Sequence, residues 1–149
     1  MGYYIIGCRD KCNIIGYRGQ LVYKIAEDLK YFKNITTFCQ TGKINAVVMG
    51  SKTWESLPEK FKPLPNRLNI VMTSKNINEY YNNLDIESSQ ELSFRNNFES
   101  TISELERMEN IESIFIIGGS KIYEAAFKLN RIKKIYLTEI HSSVFNFSP

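Results

Sequence analysis

Strand-sized apolar runs alternate with stretches whose apolar residues return every three or four positions. "YYIIGC" precedes a helical pattern starting near Ala26, "NAVVMG" precedes "SKTWESL", and "NIVMTS" leads through a polar stretch to "ELSFR" and "FESTISELERM". "SIFIIGG", "SKIYEAAFKL" and "KKIYLTEI" complete the series. This alternation predicts βαβ units: an α/β fold with a central, mostly parallel sheet covered by helices on its faces. Lys75 to Asn97 is rich in Asn, Glu and Ser and is expected to be a solvated surface excursion.

Composition supports that picture and removes several function classes. The 149 residues are 43% hydrophobic and 23% charged, enough for one ordinary domain over residues 1–149 with an apolar core. The 19 basic and 16 acidic residues are interspersed, and the net charge of +3 forms no basic tract, so neither nucleic acid nor a membrane surface is an expected partner. Cys8, Cys12 and Cys39 make an odd set with no CxxC pair, and His141 is the single histidine. The pattern indicates neither a disulfide framework nor a metal site, and it fits a reducing, cytoplasmic compartment. The apolar runs are too short to span a bilayer, and no signal-peptide pattern opens the chain.

Two strand-to-helix corners carry candidate chemistry. Gly50 ends one strand before Ser51, Lys52 and Thr53, and Gly118-Gly119 ends another before Ser120 and Lys121. Free N–H groups at a helix start attract anions, and glycine permits close approach, although a glycine at such a corner also serves simply as a turn. Two corners on parallel strands suggest a pyrophosphate across the carboxyl edge of the sheet. A third feature is Asp28 in "LVYKIAEDLKYF", placed by helical spacing on the same face as Phe32 and Ile35. First-turn placement near the helix dipole accounts for it, and so does a partly buried anion that receives a cationic or donor-rich ligand between apolar walls such as Ile6, Leu21, Tyr23, Phe32, Leu57 and Leu64. Periodicity leaves both readings open.

The segments "NIIGYRGQLVYKIAEDLKYFKNIT", "VVMGSKTWESLP", "PLPNRLNIVMTS", "IFIIGGSKIYEAA" and "IYLTEI" resemble, in order and rough spacing, the dihydrofolate reductase family from about Tyr3 to Ile140. The resemblance implies a three-layer α/β/α fold and NADPH-dependent reduction of 7,8-dihydrofolate to tetrahydrofolate, by hydride transfer to pterin C6. By that resemblance Asp28 anchors the pterin through paired hydrogen bonds and Thr138 supports the anchor. Ile6, Cys8, Phe32, Leu57 and Leu64 wall the substrate, and Arg67 clamps its glutamate α-carboxylate. Cys8, Ile15 and Gly16 meet the nicotinamide, and Asp10 to Tyr23 form a lid. The cofactor's remaining contacts fall on Gly50, Ser51, Lys52 and Thr53, on Thr73, Ser74 and Lys75, and on Ile117 through Tyr123, including Gly118, Gly119, Ser120, Lys121 and Ile122. Gly118-Gly119 is expected to be cis.

Four departures from the family pattern qualify those expectations. Leu21-Val22-Tyr23 stands where the family has "LPW", which implies a differently gated site that Tyr23→Trp would test by its hydride-transfer rate. Ser51 and Ser74 replace residues that are often basic beside the cofactor's 2′-phosphate, weakening the expected preference for NADPH over NADH. Asn66 replaces a glycine, a tolerable change because Asn enters left-handed backbone readily. The chain stops at Pro149, where the family continues into a further β-hairpin, implying a truncated reductase or the front of a longer chain, with thymidylate synthase as a fused or separate partner. An unpaired sheet edge would then invite self-association. The contrasting expectation is a remnant that binds folate or dinucleotide without turnover.

Overall fold

The computed structural model describes residues 2–9, 14–15, 26–59, 62–74 and 91–139, with side chains at 8–9, 14–15, 26–29 and 138–139 outside that description. Among the described residues, seven strands form one sheet: β1 (Tyr3–Arg9), β2 (Ile14–Ile15), β3 (Ile44–Gly50), β4 (Arg67–Met72), β5 (Leu92–Arg95), β6 (Ile111–Gly118) and β7 (Ile132–Glu139). Their order is β7-β1-β6-β3-β4-β5, and every pairing along it is parallel. The two-residue β2 pairs antiparallel with β1 at Cys8 and Arg9, where β7 holds the other edge of β1.

Helices cover both faces, as the alternation of the sequence predicts. Phe32 of α1 (Ala26–Thr37) and Trp54 of α2 (Ser51–Ser56) pack with Ile6, Val47, Met49, Val71, Phe94 and Phe115 on one face. Ile102 and Leu105 of α3 (Phe98–Arg107), with Tyr123 and Ala126 of α4 (Ser120–Leu129), pack on Ile5, Val48, Ile70 and Ile116 on the other. Strands buried on both faces need no polar alternation, which is why all six residues of β4 are buried.

Local signals set several boundaries. Asn97 caps α3 by accepting from the Ser100 N–H at 2.9 Å, and Asn130 closes α4 in the left-handed conformation at φ 57°, its N–H donating to the Ala126 carbonyl. Asn66 stands at φ 62°, the left-handed backbone that the sequence anticipated for it. Lys62–Pro63 and Gly118–Gly119 are cis, the latter as expected.

One expectation needs correction. The surface excursion expected over Lys75 to Asn97 does not reach its carboxyl end, because Leu92–Arg95 pair with Asn69–Met72 and bury Leu92 and Phe94 in the core. Residues 75–90 lie outside the described residues. Among the described residues, no helix is long and apolar enough to cross a membrane.

Candidate functional site

The sheet carries two polar poles joined by an apolar wall. At the carboxyl ends of β3, β4 and β6 lies a cavity of about 350 Å³, within the size range of small-ligand sites. Its lining includes Gly50, Ser51, Lys52, Thr73, Ser74, Gly119, Ser120, Lys121 and Ile122, all anticipated from the sequence, and also Met72, Asn96 and Phe98, which were not. Parallel strands explain the gathering, since every β-to-α corner emerges at the same edge. Among the described residues, two lysines and no carboxylate line the cavity, a donor set that suits phosphate groups. Thr53 is buried beside this wall, its hydroxyl oxygen 3.7 Å from where a Cβ on Gly119 would sit.

The wall between the poles is the α1/α2 face of the sheet. Ile6, Phe32, Leu57 and Leu64, the expected substrate walls, belong to one buried cluster there, and Ile117 joins it from β6. Tyr123 is buried, and its hydroxyl donates to the Ile6 carbonyl at 2.9 Å.

Arg67 marks the opposite pole. It opens β4 six residues before Thr73, about 20 Å away along an extended strand. Its side chain is only 2% exposed, and burial pulls the guanidinium down to about 10, so it remains a cation at neutral pH. Nε donates to the Pro65 carbonyl at 3.0 Å and Nη1 donates to the Thr36 hydroxyl at 2.9 Å. A guanidinium has five N–H groups, so three have no partner among the described residues. A buried cation with spare donors is costly unless an anion meets it, and a carboxylate matches its fork.

Two fully buried asparagines build the surroundings of Arg67, and neither was singled out from the sequence. Asn69 accepts from the Leu64 N–H and donates to the carbonyls of Leu64 and Arg67, closing the turn that carries Leu64 and Asn66. Asn45, the register partner of Arg67 on β3, donates to the carbonyls of Thr36 and Phe38 and accepts from the Ser113 N–H. Its amide thereby satisfies carbonyls that the end of α1 leaves open.

The remaining expected residues are placed by backbone alone or lie outside. Asp28 is in the first turn of α1, one turn ahead of Phe32. Cys8 is paired in register with Ile15 on one side and Thr138 on the other, bringing three expected positions to one place on the sheet. Their side chains are outside the description, as are Tyr23, Gly16, Lys75 and most of the expected lid.

A doubly covered, mostly parallel sheet with a phosphate-suited cavity at its carboxyl edge and a buried carboxylate-suited cation at the far end defines an α/β protein of the class that binds ligands at the carboxyl edge of its sheet. Comparison with known proteins narrows it. The sequence model of the dihydrofolate reductase family matches residues 3–146, and the chain belongs to that family. It is 36% identical over 127 residues to dihydrofolate reductase of Candida albicans, covering 85% of this chain and 61% of that protein. It is 37% identical over 146 residues to the bifunctional dihydrofolate reductase-thymidylate synthase 1 of Arabidopsis thaliana, covering 95% of this chain and 27% of that one. Among solved structures, Schistosoma mansoni dihydrofolate reductase superposes with a TM-score of 0.74 at 34% identity, covering 93% of this chain and 73% of that chain.

Proposed function

We propose that the chain reduces 7,8-dihydrofolate to tetrahydrofolate with NADPH. The observation that carries this reading is Arg67: a 2% exposed guanidinium with three N–H groups unpartnered among the described residues, at the far end of an apolar wall from a lysine-lined cavity. A ligand with a flat heterocycle, an apolar middle and a terminal carboxylate fits that layout, with the dinucleotide entering from the cavity side.

When bound, the reduced cofactor supplies the hydride, which goes to pterin C6 while a proton goes to N5. The chain's own residues align and isolate the partners. Asp28 accepts paired hydrogen bonds from the pterin and favours the N5-protonated form, and Thr138 supports it. Ile6, Phe32, Leu57 and Leu64 exclude water, and Arg67 holds the carboxylate. Lys52 and Lys121 offset pyrophosphate charge, helped by Thr53, Ser120 and the Gly119 backbone. Ser51 and Ser74 would stand near the 2′-phosphate in place of cations, which weakens discrimination against NADH unless Lys52 or Lys75 compensates, and comparing KM for the two cofactors decides. A thymidylate synthase as fused or separate partner is supported by the two-enzyme relatives, and a cytoplasmic setting by the cysteine pattern.

The test is loss of NADPH absorbance when the chain is mixed with dihydrofolate, beside the Asp28→Asn variant. Turnover that falls at least about a hundredfold in the variant supports the reading, since a group favouring the reactive protonation state is worth that much. Tight binding of both ligands with no turnover in the parent chain would instead support a binding module.

A further inference from the structure

Thr36 is an unexpected neighbour for a substrate-binding cation. It is fully buried in the last turn of α1, where its carbonyl is held by Asn45, and its hydroxyl meets Arg67 from the helix side. A hydroxyl has one proton, and this one is directed at the Phe32 carbonyl at 2.8 Å, with Lys33 a longer alternative at 3.4 Å. The oxygen lone pairs are therefore left for Arg67 Nη1, and the helix carbonyls determine the polarity of the contact. Together, the Thr36 hydroxyl and the Pro65 carbonyl consume one N–H on each of two guanidinium nitrogens and, among the described residues, leave both N–H groups of Nη2 and one of Nη1 for a ligand. An arginine side chain has several rotatable bonds, so two contacts are needed to restrict its plane.

We propose that Thr36 is a positioning residue for carboxylate recognition: it touches no substrate, but orients Arg67 so that its spare N–H groups meet the carboxylate as a fork. Asn45 acts one step further out, by holding the Thr36 carbonyl and the end of α1 against β3. This inference rests on the reading of Arg67 as the carboxylate clamp. It adds that the clamp's geometry is inherited from the end of the helix whose first turn carries Asp28. Both ends of the substrate are thereby referred to one rigid element.

The test crosses protein variants with two ligands differing in one group: folate and folate whose α-carboxylate is converted to the amide. Binding to the full 149-residue chain is followed by calorimetry for the parent, Thr36→Val, Thr36→Ser and Arg67→Leu, with thermal unfolding confirming that each is folded. Thr36→Val is expected to weaken folate about tenfold and leave the amide within twofold, and Thr36→Ser to restore folate affinity, since hydrogen bonds to charged groups carry that magnitude. If Arg67→Leu abolishes the folate preference over the amide while Thr36→Val keeps it, the positioning role is overturned and the clamp stands. If Arg67→Leu itself leaves the preference intact, the clamp reading fails and the proposal with it. Equal weakening of both ligands by Thr36→Val, unrescued by serine, reduces Thr36 to packing and overturns the proposal. Should Thr36→Val not fold, Asn45→Ser, which shortens the amide's reach to the end of α1, is measured against the same ligand pair. Selective loss of folate supports the coupling, and an unchanged ratio overturns it.

Discussion

The two poles of the sheet present charge by opposite means. At the carboxyl edge, Lys52, Ser74, Ser120 and Lys121 are exposed around a cavity, and the fixed features are backbone corners at Gly50 and Gly119. At the amino end of β4, Arg67, Thr36, Asn45 and Asn69 are at most 2% exposed and are joined by hydrogen bonds from Arg67 to Thr36, from Asn45 to Thr36 and from Asn69 to Arg67. The open pole uses parallel strand geometry and adjustable side chains, whereas the closed pole uses a preorganised network. A buried network gives orientation, but it transmits every loss, because a donor stripped of its partner there cannot turn to water.

The largest contrast is expected from Arg67→Leu, which should weaken folate about a hundredfold and leave NADPH affinity within twofold. Equal losses on both ligands, measured by calorimetry, would show that the poles are not separate. The same residue has a pH signature. Folate affinity should be flat from pH 7 to 9 with respect to this group and fall as pH rises through about 10, where the guanidinium discharges. Its folded value lies below that of an ordinary arginine, so the unfolded chain holds the extra proton between the two. The burial cost is therefore fully present below pH 10, and this group's contribution to stability rises with pH across that window.

Asn69→Ala should cost about 2–3 kcal/mol in denaturant unfolding, because it strands one buried N–H and two carbonyls. Ser74→Ala at the open pole should stay within about 0.5 kcal/mol. If the two losses match, burial is not what distinguishes the poles.

Gly119→Ala sharpens the contrast from the other side. A Cβ there meets only ordinary contact with Thr53, so stability should change little, yet the methyl would occupy the wall that the proposed dinucleotide approaches, and the KM for NADPH should rise about tenfold. Gly118→Ala differs, because Gly118 stands at φ 118° and the variant should lose about 1–3 kcal/mol of stability. Smallest of all, Lys52→Ala or Lys121→Ala should raise the KM for NADPH about threefold at low salt and less at high salt, as expected for exposed charges.

Much of the open pole was legible because its signals are local. Gly50 through Thr53 and Gly118 through Lys121 announce strand-to-helix corners, and parallel order then brings them to one edge. Asn96 and Phe98 carry no local signal, because they follow β5 and reach the cavity only through the pairing of β5 with β4. The closed pole escaped more completely. Thr36, Asn45 and Asn69 are polar residues of kinds that ordinarily signal caps and turns; Asn69 does close a local turn, but nothing adjacent in sequence reveals that Thr36 meets Arg67 on β4 or that Asn45 reaches Ser113 on β6.

Sequence alone determined the order and type of the elements, since strands buried on two faces leave continuous apolar runs and amphipathic helices leave a period near 3.6. It also determined which residues carry charge at the strand corners, and a spacing that resembles one family. Tertiary structure decided that Arg67 is buried rather than solvated, and that Thr36 and two asparagines supply or support its fixed contacts. The physical reason is that desolvation and hydrogen-bond satisfaction depend on which distant segments surround a group, a property that no local pattern encodes.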